Sequence, residues 1–292
     1  MNRSWILFMI TAVLIGGNLS PHTSLAASSK DICTSKKGVK VFPTLLQPGV
    51  WQSFRLGASA HSGAYFVDFN PLKPSIDGAY IQHVILPEFD GTEWVDTLNV
   101  WFPADAPPLK TRISVRCRSD LPQYFETETD LQPGVWHGFA IQNAQEDGAF
   151  VPEVTPLEPS VAGATLERYV VQPEFNTVEW LDVFRVMIPS SDPPLEANLR
   201  LWGVHEVLPV FTEFEETLQP GTWHGWVMAP SSERWAYVVE VTPLDPLAGH
   251  IERCLVQPEF NGSVWYDVLR VMNAVNYPPM RVNIKVYVVQ VR

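Results

Sequence analysis

The segment Leu46-Gln47-Pro48-Gly49-Val50-Trp51 returns as Leu131-Gln132-Pro133-Gly134-Val135-Trp136 and again as Leu218-Gln219-Pro220-Gly221-Thr222-Trp223. The second occurrence starts 85 residues after the first, and the third starts 87 residues after the second. A period of this length indicates tandem small domains, because typical solenoid units repeat every ~20–50 residues. Three near-equal copies also favour repeated equivalent surfaces over one asymmetric catalytic centre.

Each copy reads as a set of short β-strands. The Pro-Gly pair of the shared motif predicts a tight turn. Apolar residues then alternate with polar ones, as at Tyr65, Val67 and Phe69 with Asp68 on the other face, which is typical of a half-buried strand. No stretch keeps a helical period. We therefore predict an all-β fold of three tandem small antiparallel β-sandwich domains, immunoglobulin-like or jelly-roll-like, of about 85 residues each.

The predicted organisation has five parts. They are a signal peptide (1–27), a basic N-terminal leader (28–40), and β-sandwich repeats over 41–118, 119–204 and 205–292, called copy 1, copy 2 and copy 3 below. We expect three sandwiches in a row, and a single closed three-lobed body is the alternative. Pro152 interrupts one alternating segment of copy 2, which predicts an edge strand or a bulge there.

The first 27 residues have the pattern of a secretory signal. Arg3 precedes an apolar run over 5–15, and Ser24-Leu25-Ala26 offers a small-residue cleavage site. The apolar run is too short to span a bilayer. We therefore expect a secreted or periplasmic protein after cleavage and not an integral membrane protein.

The net charge of the chain is −12. Removing Arg3 with the signal leaves 19 basic residues against 32 acidic ones. An acidic chain repels phosphate backbones, which excludes nucleic acid as an expected partner.

Three cysteines remain after the signal. We predict a disulfide between Cys33 and Cys117, which would clasp the N-terminal segment to copy 1, because exported chains form such bonds. Cys254 occupies the slot of His83 and Tyr169 in the other copies, so we interpret it as an unpaired, partly buried thiol.

Tryptophans divide into shared and unshared slots. Six of them fill two slots present in every copy, and we interpret these as core residues because each large aromatic removes roughly 150–250 Å² from water. The six are Trp51, Trp136, Trp223, Trp94, Trp180 and Trp265. Trp101, Trp202 and Trp235 occupy slots that are not Trp in the sister copies. We predict these three as exposed ligand-binding residues.

Asp96, Asp182 and Asp267 lie on the apolar face of one strand in each copy. A buried carboxylate requires hydrogen-bond partners. We interpret the three as buried structural acceptors, with a metal ligand or catalytic acid as the alternative.

Oxygen-rich loops also recur, at Glu88, Glu174 and Glu259 with Asp90, Asn176 and Asn261. Calcium, which takes six to eight oxygens, is a weakly supported candidate, and turn chemistry explains the same residues. We therefore expect no cofactor.

His137 and His224 lack the clustered partners of a zinc site, and no Gly-x-Ser-x-Gly elbow is present. The sequence gives no enzyme signature.

These observations favour an exported, non-catalytic, multivalent binding protein that recognises extracellular glycan or a cell-surface polymer. Linked weak sites gain avidity, typically by about 10²–10⁴-fold. The alternative is a structural or adhesive spacer, or a self-associating extracellular matrix protein. A hydrolase is the third and least favoured hypothesis.

Overall fold

A computed structural model describes residues 32–33, 38–59, 63–73, 75–146, 148–158, 166–245 and 250–291. The predicted signal peptide and most of the basic leader fall outside these residues, so both stay predictions. The described chain consists of β-strands and one short 3-10 helix over Ser231–Glu233, with no α-helix among the described residues. The all-β prediction is confirmed.

The strands follow one another in three groups of six. The first group is β1 (Val39–Leu46), β2 (Gln52–Ala58), β3 (Ala64–Pro71), β4 (Gln82–Phe89), β5 (Trp94–Trp101) and β6 (Leu109–Arg118). The second group is β7 (Gln123–Leu131), β8 (His137–Asn143), β9 (Phe150–Glu158), β10 (Arg168–Phe175), β11 (Trp180–Met187) and β12 (Leu195–Gly203). The third group is β13 (Val210–Leu218), β14 (Trp223–Pro230), β15 (Trp235–Pro243), β16 (Ile251–Phe260), β17 (Trp265–Asn273) and β18 (Met280–Gln290).

Each group forms two antiparallel three-stranded sheets with the same strand order. The first, sixth and third strands form sheet I (β1-β6-β3, β7-β12-β9, β13-β18-β15). The second, fifth and fourth strands form sheet II (β2-β5-β4, β8-β11-β10, β14-β17-β16). Pro152 lies in β9, an edge strand, as the sequence indicates for a proline within a sheet. The motif glycines Gly49, Gly134 and Gly221 have φ angles of 70°, 70° and 64°, which the predicted turn requires of them.

The two sheets of a group pack face to face. In copy 1, one core cluster contains Leu46 and Ile113 from sheet I together with Phe54 and Leu98 from sheet II. Copies 2 and 3 have corresponding clusters. The fold is therefore sandwich-like, with alternating residues of each strand directed inward.

One tryptophan of each copy completes the core of another copy. Trp94 at the start of β5 belongs to the cluster of copy 2, and Trp180 at the start of β11 belongs to that of copy 3. Trp265 at the start of β17 belongs to the cluster of copy 1. The contacts thus run from copy 1 to 2, from 2 to 3, and from 3 back to 1.

Backbone contacts follow the same cycle. The amide of Gly78 in copy 1 donates to the carbonyl of Phe260 in copy 3 at 2.8 Å, and the amide of Ile81 donates to Pro258 at 3.0 Å. An isolated bridge between Glu174 and His250 joins copies 2 and 3 in the same way.

A further cluster lies where the three copies meet. It contains Phe66 from β3, Trp202 from β12 and Tyr287 from β18. These contacts describe the closed three-lobed alternative and not separate domains in a row.

The domain boundaries stay a prediction. The first strand, β1, begins at Val39, within the segment assigned to the leader.

Candidate functional site: the outer face of sheet II

The register of sheet II places a tryptophan on the outer face of each copy. In copy 3, Trp223 pairs with Met272. In copy 2, Trp136 directly precedes His137, whose partner is Val186, so Trp136 lies opposite Met187. Trp136 is 40% exposed, and the guanidinium of Arg168 lies 6.0 Å from the centre of its ring. This contact is within the range of a cation–π interaction.

Trp51, Trp136 and Trp223 therefore do not have the core position that the sequence suggested. Among the described residues, none of the three belongs to a core cluster, whereas Trp94, Trp180 and Trp265 do. Both slots are shared by all copies, so recurrence alone could not separate an inward tryptophan from an outward one.

An arginine–glutamate pair lies next to the tryptophan in copies 2 and 3. Arg185 donates from Nε and Nη2 to the two oxygens of Glu174, at 2.8 and 2.5 Å, and Gln172 donates to the same carboxylate at 2.9 Å. Arg270 and Glu259 repeat this geometry in copy 3. Burial alone would raise the pKa of Glu174, but the hydrogen bonds from Arg185 and Gln172 outweigh it and hold that pKa below its usual value.

A glycine makes room for each of these arginines. A Cβ atom at Gly138 would lie 2.6 Å from Nη1 of Arg185. Copy 1 has Asn99 in the arginine slot and Ser53 in the glycine slot. There the Ser53 hydroxyl donates to Asn99 Oδ1 at 2.5 Å, and Asn99 Nδ2 donates to Glu88 at 2.9 Å. All three copies therefore keep a polar network on this face, built from two different residue sets.

An open depression of about 360 Å³ lies on this face of copy 2. Its small and apolar residues are Gly138, Ala140, Leu181 and Val183, and Phe175, Asn176, Glu174 and Arg185 complete its lining. Polar groups that both donate and accept hydrogen bonds thus border an apolar floor, on a sheet whose β8–β11 pairing carries a bulge next to Val183.

The structure separates the three tryptophans that the sequence singled out. Trp101 pairs with Gln82, next to the pair of Gln52 and Val100, so it lies opposite Trp51 on the outer face of copy 1. Its ring centre is 5.8 Å from that of Tyr80.

Trp202 is only 4% exposed, because it fills the central cluster, and its indole donates to Glu153 at 2.7 Å. The expectation that Trp202 is exposed is therefore wrong. Trp235 is half-buried at the start of β15, in sheet I, with its ring against Phe211.

Asp96, Asp182 and Asp267 are 5%, 8% and 6% exposed. Asp96 accepts a hydrogen bond from the Ser59 hydroxyl at 2.7 Å, and Asp267 accepts the equivalent bond from Ser231 at 2.7 Å. Asp182 accepts from Gln142 at 3.3 Å. Burial raises the pKa of Asp182 and of Asp267 to about 7. None of the three lines the depression on the sheet II face.

The recurrent loop residues close tight turns. Asp90, Asn176 and Asn261 each accept two backbone N–H groups from the residues two and three positions later. Across the parts of the chain that the structure describes, no group of three or more His, Cys, Asp or Glu side chains is placed to hold a metal ion. The calcium hypothesis stays untested.

The two histidines of the Trp-His-Gly motif also have a turn role. Nε2 of His137 accepts the amide of Gln132 at 2.7 Å, and Nε2 of His224 accepts that of Gln219 at 2.8 Å. In copy 1 the side-chain oxygen of Gln52 accepts the amide of Gln47 at 2.6 Å. One acceptor, supplied by His or Gln, thus ties the motif turn to the following strand in every copy.

The predicted disulfide between Cys33 and Cys117 is present, with Cα atoms 5.0 Å apart. Cys254 is free and partly buried, and burial raises the pKa of its thiol to about 12. A thiol with such a pKa is a poor nucleophile at neutral pH.

No protein-family model, curated protein or solved structure matches the chain. Within the described residues, no helix has the length and apolar character needed to cross a membrane.

Proposed function

We propose that the protein is a secreted, non-catalytic, multivalent binding protein that contacts extracellular glycan through the outer faces of its three sheets II. The observation that carries the proposal is the exposed Trp136 beside Arg168 and the Arg185–Glu174 pair, on a face with an open depression. In copy 3, Trp223 and the Arg270–Glu259 pair support the same role.

The chemistry of this face suits a sugar. An exposed indole offers an apolar platform for the C–H face of a pyranose ring, while Arg, Glu, Gln and Asn side chains donate to and accept from hydroxyl groups. Arg185, Glu174 and Gln172 hold each other through hydrogen bonds, so little order has to be gained when a ligand binds.

Three such faces in one chain fit a repetitive polymer. Each face is shallow, which suits weak binding of a few sugar units. Linkage of weak sites raises the apparent affinity by about 10²–10⁴-fold when the geometry allows simultaneous contact. The disulfide supports an oxidising, extracellular compartment, where such polymers occur.

Self-assembly as a matrix protein is less well supported. The first strands of sheet I in copies 2 and 3 are sheet edges, and each carries acidic side chains at alternate positions. Charged side chains on an edge strand oppose pairing with another chain. Light scattering over a concentration series tests this alternative, since a self-assembling spacer grows in mass.

The proposal is tested with a panel of polysaccharides (cellulose, chitin, xylan, β-1,3-glucan and peptidoglycan) in depletion assays. The double variant Trp136→Ala/Trp223→Ala is expected to lose apparent affinity for the retained polymer by about 10²-fold or more, because two of three faces lose their platform. Trp235→Ala is the matched control, since it removes a half-buried tryptophan from sheet I, and it should bind as the wild type does.

Failure of the wild type to bind any member of the panel would count against the proposal. Loss of binding in Trp235→Ala together with full binding by the double variant would move the site to sheet I.

A further inference from the structure

A second set of carboxylates occupies the junctions between copies. Asp68, Glu153 and Glu240 hold the same position in the third strand of each copy, and all three are buried. Two of them raise the pKa of a titratable group across a junction, in addition to the larger effect of burial: Asp68 acts on Tyr237 in copy 3, and Glu240 acts on Asp182 in copy 2. Glu153 acts on Tyr169 within copy 2. In copy 1, Asp68 itself is influenced by Asp267 of copy 3.

Copies 2 and 3 supply partners for this carboxylate from their sixth strand. In copy 2, Arg200 donates to Glu153 at 3.3 Å and the Trp202 indole donates to it at 2.7 Å. In copy 3, the Tyr287 hydroxyl donates to Glu240 at 2.9 Å, and Lys285 is the residue paired with Glu240 in the sheet register.

Copy 1 has neither partner. The residue paired with Asp68 is Ser114, in the slot of the cation, and Arg116 takes the slot of Trp202 and Tyr287 but donates to the carbonyl of Gln290 instead. Asp68 is 2% exposed, and neither of its oxygens meets a hydrogen-bond donor among the described residues. An ionised carboxylate in such a place is costly, so the group favours its protonated form.

The groups around Asp68 come from every element packed against β3. They are Glu233 and Arg234 from the 3-10 helix and the residue after it, Tyr237 and Glu240 from β15, Arg116 from β6 and Glu153 from β9. Asp267 lies on β17, which packs against the same 3-10 helix. Arg116 is engaged elsewhere, since it donates to the carbonyl of Gln290 at 2.5 Å.

The balance of charges at this junction is unfavourable to ionisation. Burial first and the nearby Asp267 second raise the pKa of Asp68 to about 8, although Arg234 opposes them. Burial also raises the pKa of Asp267 to about 7, against the hydrogen bond that Ser231 donates to it at 2.7 Å. The two carboxyl groups therefore take up charge over the same pH range.

We propose that Asp68 and Asp267 form a pH-sensitive latch that closes copy 1 on copy 3. When they are protonated, two neutral carboxyl groups are buried together and the cycle of contacts is closed. When both are ionised, two like charges lie near each other in a desolvated region and weaken the contact between copy 1 and copy 3.

The sign follows from linkage. The folded-state pKa of Asp68 lies above the value of about 4 in an unfolded chain, so the folded state binds the proton more tightly. The stability that the latch contributes is therefore fully present below about pH 4 and is lost as the pH rises to about 8.

The test compares thermal unfolding of the wild type, Asp68→Asn and the matched control Glu240→Gln between pH 5.5 and 8.5. The unfolding midpoint of the wild type should fall by about 5–10 °C more than that of Asp68→Asn. Glu240→Gln should keep the part of the fall that Asp68→Asn removes, because it leaves Asp68 in place. Ser114→Lys, which copies the arrangement of copy 3, should remove the extra fall while leaving Asp68 in place.

Hydrogen exchange locates the effect. After correction for intrinsic rates, the amides of Gly78 and Ile81 should lose protection between pH 6 and 8.5 in the wild type and keep it in Asp68→Asn. Peptides covering Glu174 and His250 report the junction of copies 2 and 3, where Asp182 changes charge near pH 7, and their change should be the same in the wild type and in Asp68→Asn. An equally steep fall in Asp68→Asn, or an equal loss of protection at Gly78 and Ile81 in that variant, would overturn the latch. If Ser114→Lys does not fold, Asp68→Asn and the exchange data decide the question.

Discussion

Replacing Trp180 by Ala should destabilise copy 3, although the residue belongs to copy 2. Its side chain is buried in the core cluster of copy 3, and its indole donates to the carbonyl of Asp245 at 2.9 Å. Burying a large aromatic removes roughly 150–250 Å² from water, which at about 25 cal/mol per Å² corresponds to about 4–6 kcal/mol. Measured costs of Trp→Ala in cores are about 3–5 kcal/mol. We therefore expect the free energy of unfolding to fall by about 4 kcal/mol.

Urea unfolding gives the total loss, and hydrogen exchange gives its position. The strands β16 and β18 of copy 3 should lose protection as much as β11, in which Trp180 lies. Trp235→Ala is the control, because it removes a half-buried tryptophan whose ring packs against Phe211 of the same copy. A loss of protection restricted to copy 2, or a cost below about 1 kcal/mol, would refute the shared core.

Two further predictions concern the bonds that hold single copies. Replacing Cys33 and Cys117 by Ser should lower the free energy of unfolding by about 4 kcal/mol, because the bond closes a separation of 84 residues. Cys254→Ser is the control. Equal chemical-unfolding midpoints of the wild type, the double variant and the control would contradict this prediction. His137→Ala should lower the free energy of unfolding by about 0.5–1 kcal/mol, because it leaves the Gln132 amide without its acceptor. His137→Gln, which copies Gln52, should unfold at the same urea concentration as the wild type. Equal losses of stability in the two variants would disprove the turn role.

The strand content was predictable because alternation and proline–glycine turns are local signals. Tyr65, Val67 and Phe69 point to the core of copy 1 as their period of two requires. The disulfide was also predictable, since one cysteine precedes the first repeat and another lies in its last strand, which leaves few pairings.

The closed arrangement depends on contacts that no local pattern records. Trp94 and Trp180 look like core residues of their own copies, yet they fill the next one. The outer face was missed for a related reason. Asp182 and Phe184 point inward, so alternation along the strand directs Leu181, Val183 and Arg185 to the outer face. Trp136 lies at the start of a strand, where no preceding strand residue shows which face of the sheet its side chain takes. Trp202 was misassigned because a residue unique to one copy can still be buried where the three copies meet.

The most direct test of the account is a ¹H–¹⁵N spectrum of the tryptophan indole groups, recorded while an oligosaccharide of the retained polymer is added. Each signal is assigned by a Trp→Phe substitution. We expect the signals of Trp51, Trp136 and Trp223 to shift with saturable dependence on the sugar, while those of Trp94, Trp180 and Trp265 stay in place. Shifts confined to the buried set, or to Trp235 alone, would contradict binding at the outer faces of sheet II.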